Sequence, residues 1–107
     1  MKKSADPLDT EHAALTFAAL GSEQRLTVLR ALVRAGPGGL SIGTLGARCG
    51  ITGSTLTFHM KTLAQAGLVK QQRAGRRIIC AADTAAIRGL SDFLLAECCA
   101  DQEHDDG

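Results

Sequence analysis

The sequence predicts one mainly α-helical domain of the α+β class, with a β-hairpin between its fourth and last helices. A chain of 107 residues has room for one domain, since domains usually contain about 100–150 residues. With three Phe and neither Tyr nor Trp, the core must consist mainly of Leu, Ile, Val and Ala, which suit interdigitating helices. Apolar residues recur at helical spacing in successive segments, and glycine-rich or polar residues separate these segments.

The first two helices are predicted from apolar stripes. The first covers about 11–20 and ends before Gly21, which is a good helix terminator. Its stripe consists of Ala14, Leu15, Phe17, Ala18 and Leu20. Ser22 can cap the second helix, which ends in the glycine- and proline-rich segment 35–39. Its stripe consists of Leu26, Leu29, Leu32 and Val33.

The third and fourth helices are separated by only three residues. Ser41 caps the third, from Ile42 to Cys49, and Gly50 follows where a left-handed residue is needed. Thr52 caps the fourth, over 53–66. The buried stripe of the fourth helix consists of Leu56, Met60, Leu63 and Ala64. Two helices joined by such a short, glycine-containing turn predict a helix-turn-helix.

A β-hairpin and a last helix complete the domain. Strands over 68–73 and 76–81 flank the tip Ala74-Gly75. Asp83 caps a helix over about 84–99, with Ile87, Leu90, Leu94 and Cys98 along one face. We expect the domain to span 11–100, between a flexible N-terminus over 1–10 and an acidic, disordered tail over 101–107.

The net charge of +1 hides an uneven distribution. Residues 24–82 contain no acid and carry a net charge of +9, whereas residues 1–23 carry −2 and residues 83–107 carry −6. A basic body favours a polyanionic partner such as nucleic acid, although a solubilising surface accounts equally well for charge alone. The basic residues are Arg25, Arg30, Arg34, Arg48, Lys61, Lys70, Arg73, Arg76 and Arg77.

Several functional classes are disfavoured by the sequence. No stretch approaches the roughly 18 uninterrupted apolar residues of a membrane span, so we expect a cytoplasmic protein with no membrane partner. The four cysteines should then be free thiols, which point to metal binding or redox chemistry rather than to disulfides. No nucleophile, base and cavity can be assembled, so we do not expect an enzyme.

Three segments resemble the ArsR/SmtB family of winged-helix metalloregulators. They are Leu20–Leu29, Ile51–Leu63 and the following Ala66-Gly67-Leu68-Val69. The pattern Ser-Thr-x-Thr-x-His-x-Lys-x-Leu at 54–63 is the most specific feature, and the resemblance extends over about 12–99. It implies a winged helix-turn-helix, a homodimer formed through the first and last helices, and a repressor that binds double-stranded operator DNA.

The outward side of the fourth helix has the chemistry of a major-groove reader. Hydroxyls and an aromatic ring can meet base edges or thymine methyls, and a lysine can meet phosphate. A solvated helix face is the alternative, but an exposed Phe58 is costly without a partner. The resemblance assigns base contact to Ser54, Thr57 and Phe58 and places His59 nearer the DNA backbone, although most relatives have a polar or basic residue at the position of Phe58.

The hairpin arginines form the second part of the predicted DNA interface. They can contact phosphate or the minor groove, or they can simply keep an edge hairpin soluble. The complete set of predicted DNA contacts is Ser54, Thr55, Thr57, Phe58, His59, Lys61, Arg73, Arg76 and Arg77.

The sensory site is predicted from what the family requires and this chain provides. The family's zinc sensors use carboxylate and imidazole ligands on the last helix, but no histidine occurs between residues 60 and 103. The Cys-x-Cys of its best-known arsenic site falls on Ser41 and Gly43. The adjacent Cys98 and Cys99 remain, similar to arsenic repressors with vicinal thiols in the dimerising helix.

We therefore expect that no cofactor is required and that the inducer is trivalent arsenic, either arsenite or an organoarsenical such as methylarsenite, or else antimonite. The last helix is too long for Cys80 to reach Cys98 of its own chain, so a third sulfur would be Cys80 of the partner subunit. The alternative for Cys80 is a small apolar strand residue. Other functions left open are a persulfide or redox switch, using Cys98 with Cys99 or with Cys80, and a metal-trafficking or buffering protein.

Overall fold

The computed structural model describes residues 8–102, which form five helices and three strands. The predicted flexible residues 1–7 and the tail residues 103–107 lie outside the described residues. The helices are α1 (Thr10–Ala19), α2 (Glu23–Ala35), α3 (Ile42–Cys49), α4 (Gly53–Gln65) and α5 (Thr84–Leu95). The strands are β1 (Leu40–Ser41), β2 (Val69–Ala74) and β3 (Arg77–Ala82).

The predicted caps of α2, α3 and α5 are confirmed. Ser22, Ser41 and Asp83 each accept a hydrogen bond from a backbone N–H in the first turn of the helix that follows. Gly50 adopts the left-handed conformation, with φ 67°, as the turn after α3 requires. Thr52 has the backbone of an N-cap, but within the described chain its hydroxyl accepts no capping hydrogen bond.

The three strands form one antiparallel sheet in the order β1-β3-β2. Within the hairpin Ala74 pairs with Arg77, so the loop consists of Gly75-Arg76 and not of the predicted Ala74-Gly75. β1 was not predicted because two residues are too few to show a strand periodicity. Leu40 of β1 pairs with Cys80 of β3.

The core lies where α2, α3 and α4 meet the sheet, and the predicted stripe of α4 is largely buried. Its largest fully buried side chains are Leu32, Leu45, Met60, Leu63, Leu68, Val28 and Cys80. The order of elements and the three-stranded sheet confirm the winged helix-turn-helix fold. No helix among residues 8–102 is long and apolar enough to cross a membrane.

Two predicted features of the helices differ from the structure, namely the buried face of α1 and the end of α5. α1 buries Ala13, Thr16 and Ala19, whereas Leu15 of the predicted stripe is 68 % exposed. Apolar periodicity indicates which face avoids water, but it does not tell whether the core or another chain covers that face. α5 ends at Leu95 and not near residue 99, because the backbone beyond it forms hydrogen bonds to the third residue back, such as Cys98 N–H to Leu95 O at 2.9 Å.

Candidate nucleic-acid interface and thiol pair

The helix-turn-helix is held together by a close approach of α3 and α4. A Cβ at Gly46 would lie 2.9 Å from the carbonyl oxygen of Ile51 and 3.2 Å from Cδ2 of Leu56. Glycine at this position therefore allows the connecting turn and the first helical turn of α4 to pack directly on α3. With Leu56 buried, the opposite side of α4 faces solvent.

That solvent side carries five of the predicted DNA contacts. Phe58 is 61 % exposed, although an exposed aromatic ring is unusual in the interior of a helix. Thr57 donates its hydroxyl proton to the Gly53 carbonyl at 3.2 Å, which leaves the oxygen lone pairs and the methyl group available outward. The exposed predicted contacts of α4 are Ser54, Thr55, Thr57, Phe58 and Lys61.

His59 requires a correction, because the structure buries it instead of presenting it to DNA. Its side chain is 7 % exposed. Nδ1 lies 3.2 Å from Nη1 of Arg25, and Nε2 lies 2.8 Å from Oε1 of Gln24. Because both ring nitrogens are engaged inside the protein, neither is free to bind a phosphate.

The wing arginines lie where they were predicted. Arg73, Arg76 and Arg77 are all exposed, at the β2–β3 loop and the strand residues beside it. They continue a broader basic surface, since eight of the nine basic residues between 24 and 82 are exposed and only Arg25 is half-buried. Because the same segment contains no acid, this surface suits a phosphate backbone.

The two vicinal thiols meet beyond the end of α5. The Sγ atoms of Cys98 and Cys99 are 3.2 Å apart and both side chains are exposed. Adjacent side chains on a helix point in different directions, so the contact depends on the helix having ended and on the positive φ of 65° at Cys99. The hydrogen bond with Cys98 raises the pKa of Cys99, and desolvation adds to the increase.

The other two cysteines are packed into the protein. Cys80 is fully buried in the central strand β3, between Leu40 of β1 and Gln71 of β2. Burial raises the pKa of its thiol, which disfavours the thiolate that a ligand requires. Cys49, half-buried at the end of α3, has its pKa raised for the same reason. No group of three His, Cys, Asp or Glu side chains that could hold a metal ion occurs among residues 8–102.

Arg25 is the residue of this region that sequence reasoning missed. Its Nε donates to the carbonyl of Ala19 at the end of α1, while Nη1 reaches His59 on α4. In the sequence, Arg25 is visible only as one of nine basic residues, because it lies 34 positions from His59 and no local pattern links the two. A basic residue in the first turn of a helix, where the dipole disfavours positive charge, was the available signal.

Comparison with known proteins agrees with this geometry. A helix-turn-helix domain family matches residues 20–72, which include α2, α3 and α4. The helix-turn-helix-type transcriptional regulator YceK of Bacillus subtilis (strain 168) is 38 % identical over 76 residues, which are 71 % of each chain.

Solved structures extend the match to nearly the whole fold. An ArsR-like transcriptional regulator from Rhodococcus sp. RHA1 superposes with a TM-score of 0.71 at 27 % identity, covering 85 % of this chain and 82 % of the other. The homodimeric winged helix-turn-helix domain of a possible ArsR-family regulator from Mycobacterium bovis gives 0.65 at 22 % identity, with 94 % and 98 % covered. The relationship to YceK shows that the chain belongs to the helix-turn-helix-type transcriptional regulators, and its winged fold matches that of ArsR-family regulators.

Proposed function

We propose that this regulator is a cytoplasmic, homodimeric repressor that holds its operator when unliganded and releases it when a trivalent arsenical binds Cys98 and Cys99. The observation that carries the proposal is the contact between two exposed thiols, whose sulfurs lie 3.2 Å apart. Thiolates select soft ions. The cytoplasm keeps such a pair reduced and available.

The distance between the sulfurs suits chelation. A soft ion bonds to thiolate sulfur at about 2.3 Å, the value for zinc, so two sulfurs on one centre lie within roughly 4.6 Å of each other. With methylarsenite, two As–O bonds break and two As–S bonds form. Each thiol proton leaves with one arsenic-bound hydroxide as water, and no electron is transferred. A thiol whose pKa is raised can therefore react without first losing its proton to solvent.

The surroundings of the four cysteines favour an organoarsenical. Cys98 and Cys99 supply two sulfurs, and the carbon of methylarsenite occupies the third position on arsenic. Arsenite and antimonite need a third thiolate. Cys80 of the partner subunit is the sulfur proposed for that role, but the side chain of Cys80 is fully buried in the hydrophobic core. Three-sulfur ligation therefore requires a rearrangement of the core around Cys80, whereas two-sulfur ligation does not.

In a dimer, a ligand on the thiol pair can change DNA binding through the contact between the two subunits. The exposed apolar side chains of α1 and α5 suit a second copy of the chain: Leu15 at 68 %, Leu94 at 65 %, Leu95 at 63 % and Phe17 at 36 %. A ligand at the end of α5 then changes the separation of the two α4 helices, which must meet half-sites about 34 Å apart. A difference of ~3–5 kcal/mol in DNA affinity between two dimer shapes suffices to empty the operator.

The test uses a labelled DNA duplex that the wild-type protein has selected from a random pool. Each candidate inducer is titrated into the complex of protein and duplex, and release of the DNA is measured. Methylarsenite, arsenite, antimonite, zinc, cadmium and a persulfide donor are added separately. We expect methylarsenite to release the wild-type protein, and Cys98→Ser/Cys99→Ser to keep its DNA at all concentrations. Cys49→Ser is the matched control and should respond like the wild type. Release of the double variant by methylarsenite would overturn the proposal.

The pH dependence of binding distinguishes an arsenical from a divalent cation in the same assay. A cation must displace the proton of Cys99, whose pKa the contact with Cys98 raises, so cadmium should bind more tightly as pH increases. Methylarsenite, whose hydroxides take up the thiol protons, should show a weaker pH dependence. Equal pH dependence for both would contradict the condensation step.

The same exposed pair supports a second candidate, a persulfide- or oxidant-responsive switch. Release by the persulfide donor or by an oxidant, reversal by dithiothreitol and no response to methylarsenite would favour it. Arsenical binding that leaves DNA affinity unchanged would instead favour a buffering role.

A further inference from the structure

A buried polar network joins α4 to the first two helices. Nε of Arg25 donates to the Ala19 carbonyl at the end of α1, and Nη1 of Arg25 lies 3.2 Å from Nδ1 of His59. Nε2 of His59 lies 2.8 Å from Oε1 of Gln24. The network therefore connects α1, α2 and the centre of α4, through a histidine that is 7 % exposed.

These partners determine the protonation state of His59. A guanidinium has only N–H donors, so Nδ1 must be the acceptor in its contact with Arg25. Nε2 then carries the hydrogen and donates it to the amide oxygen of Gln24. Only the neutral ring with its hydrogen on Nε2 satisfies both contacts, because a protonated ring would turn an N–H toward the guanidinium.

The position of His59 on α4 gives the network a role in DNA recognition. His59 directly follows Phe58, and the two ring centroids are 5.7 Å apart. Phe58 and Thr57 project to solvent from the same turn. We infer that Arg25 and neutral His59 are positioning residues, which fix the rotation of α4 against α1 and α2 and thereby aim its exposed side chains. This inference rests on the predicted reading of DNA by α4.

The surroundings of Arg25 distinguish this role from a phosphate contact. Arg25 is half-buried, and both of its contacts are to groups of the protein. His12 of α1 lines the same groove as Arg25, and Lys61, the lysine of α4, is exposed. Loss of the network should therefore change how α4 is held without changing the number of phosphates that the protein contacts.

The first test is Arg25→Lys, which keeps the charge but removes the planar fork that bonds two acceptors. We expect an affinity for the selected duplex about tenfold lower than that of wild type, with an unchanged dependence on salt. Arg30→Lys, at an exposed site on the same helix, is the matched control and should bind like wild type. Wild-type affinity in Arg25→Lys would overturn the positioning role of Arg25, because a phosphate contact tolerates lysine whereas this network needs the planar fork.

The second test compares two variants of His59. The amide oxygen of His59→Asn can accept from Arg25 at the position of Nδ1, whereas His59→Leu offers no acceptor. We expect the affinity of His59→Leu for the selected duplex to be about tenfold lower than that of wild type and the affinity of His59→Asn to lie closer to wild type, with an unchanged dependence on salt in both. His12→Asn should bind like wild type. Circular dichroism separates a change in binding from unfolding.

Two results on His59 would overturn the inference. Wild-type affinity in His59→Leu would show that the network does not position α4, and equal affinities of His59→Leu and His59→Asn would show that the contact with Arg25 has no such role. Failure of DNA recognition by α4 itself has a different outcome, since the wild type would then select no duplex.

Discussion

The most direct test of the DNA interface is Phe58→Ala. Phe58 is 61 % exposed on a helix whose opposite face is packed, so the folded protein gains little from the ring. Alanine is also the better helix former. We therefore expect the free energy of unfolding to remain unchanged or to rise slightly. The loss should instead appear in binding, where a base edge or a thymine methyl covers the ring.

The expected magnitude follows from the exposed fraction. A phenylalanine side chain has roughly 200 Å² of surface, so about 120 Å² is exposed here. At about 25 cal/mol per Å², complete burial against DNA contributes about 3 kcal/mol, and burial of half of this area contributes about 1.5 kcal/mol. Phe58→Ala should consequently weaken operator binding by a factor between about 10 and roughly 150.

Fluorescence anisotropy on the selected duplex, at one fixed salt concentration, measures this loss. Val33→Ala is the control, since Val33 is a 46 % exposed apolar residue of α2 outside the predicted interface. Uracil in place of each thymine removes the methyl groups and should weaken the wild type but hardly affect Phe58→Ala. Wild-type affinity in Phe58→Ala would refute the assignment of this ring to the DNA interface.

Four further substitutions test the rest of the structure. Arg77→Ala should weaken binding to operator and unrelated DNA alike and should flatten the logarithmic salt slope by about one unit; an unchanged slope would place Arg77 away from phosphate. Cys80→Ala should still release DNA when methylarsenite is added; if the variant no longer releases its DNA, Cys80 is a ligand after all. Gly46→Ala should lower the free energy of unfolding by about 1–3 kcal/mol in urea titrations, because its Cβ would lie 2.9 Å from the Ile51 carbonyl oxygen; unchanged stability would show that α3 shifts freely. Asp83→Ala removes the cap that accepts from Ala86 N–H at 3.1 Å and should lower the free energy of unfolding by about 1 kcal/mol, measured in the same way; unchanged stability would show that water replaces the cap.

Features that neighbouring residues determine were predictable from the sequence. Ser22, Ser41 and Asp83 cap helices through bonds to residues three positions later, and Gly50 meets a backbone requirement of its own turn. The exposed face of α4 follows from the spacing of its apolar residues. The exposed side of α4, on which the predicted DNA contacts lie, could therefore be identified from the sequence.

Features that join distant residues were not predictable in this way. β1 exists because β3 pairs with it across 40 positions, and His59 is buried because Arg25 and Gln24 approach it from another helix. No local pattern contains either partner. The predicted helix over 84–99 was too long for a related reason, since alternative turns after Leu95 have nearly the same local sequence preferences as a helix.

The shortest strand of the fold has a mechanical consequence. The pairing of Leu40 with Cys80 closes a loop in the chain, and every residue predicted to contact DNA, from Ser54 to Arg77, lies inside that loop. α5 and the vicinal thiols lie outside it. We expect a displacement of α5 to move the residues inside this loop together, because the strand pairing ties the two ends of the loop to each other. In the proposed dimer, the spacing between the two α4 helices would then change while the conformation of each helix-turn-helix is preserved.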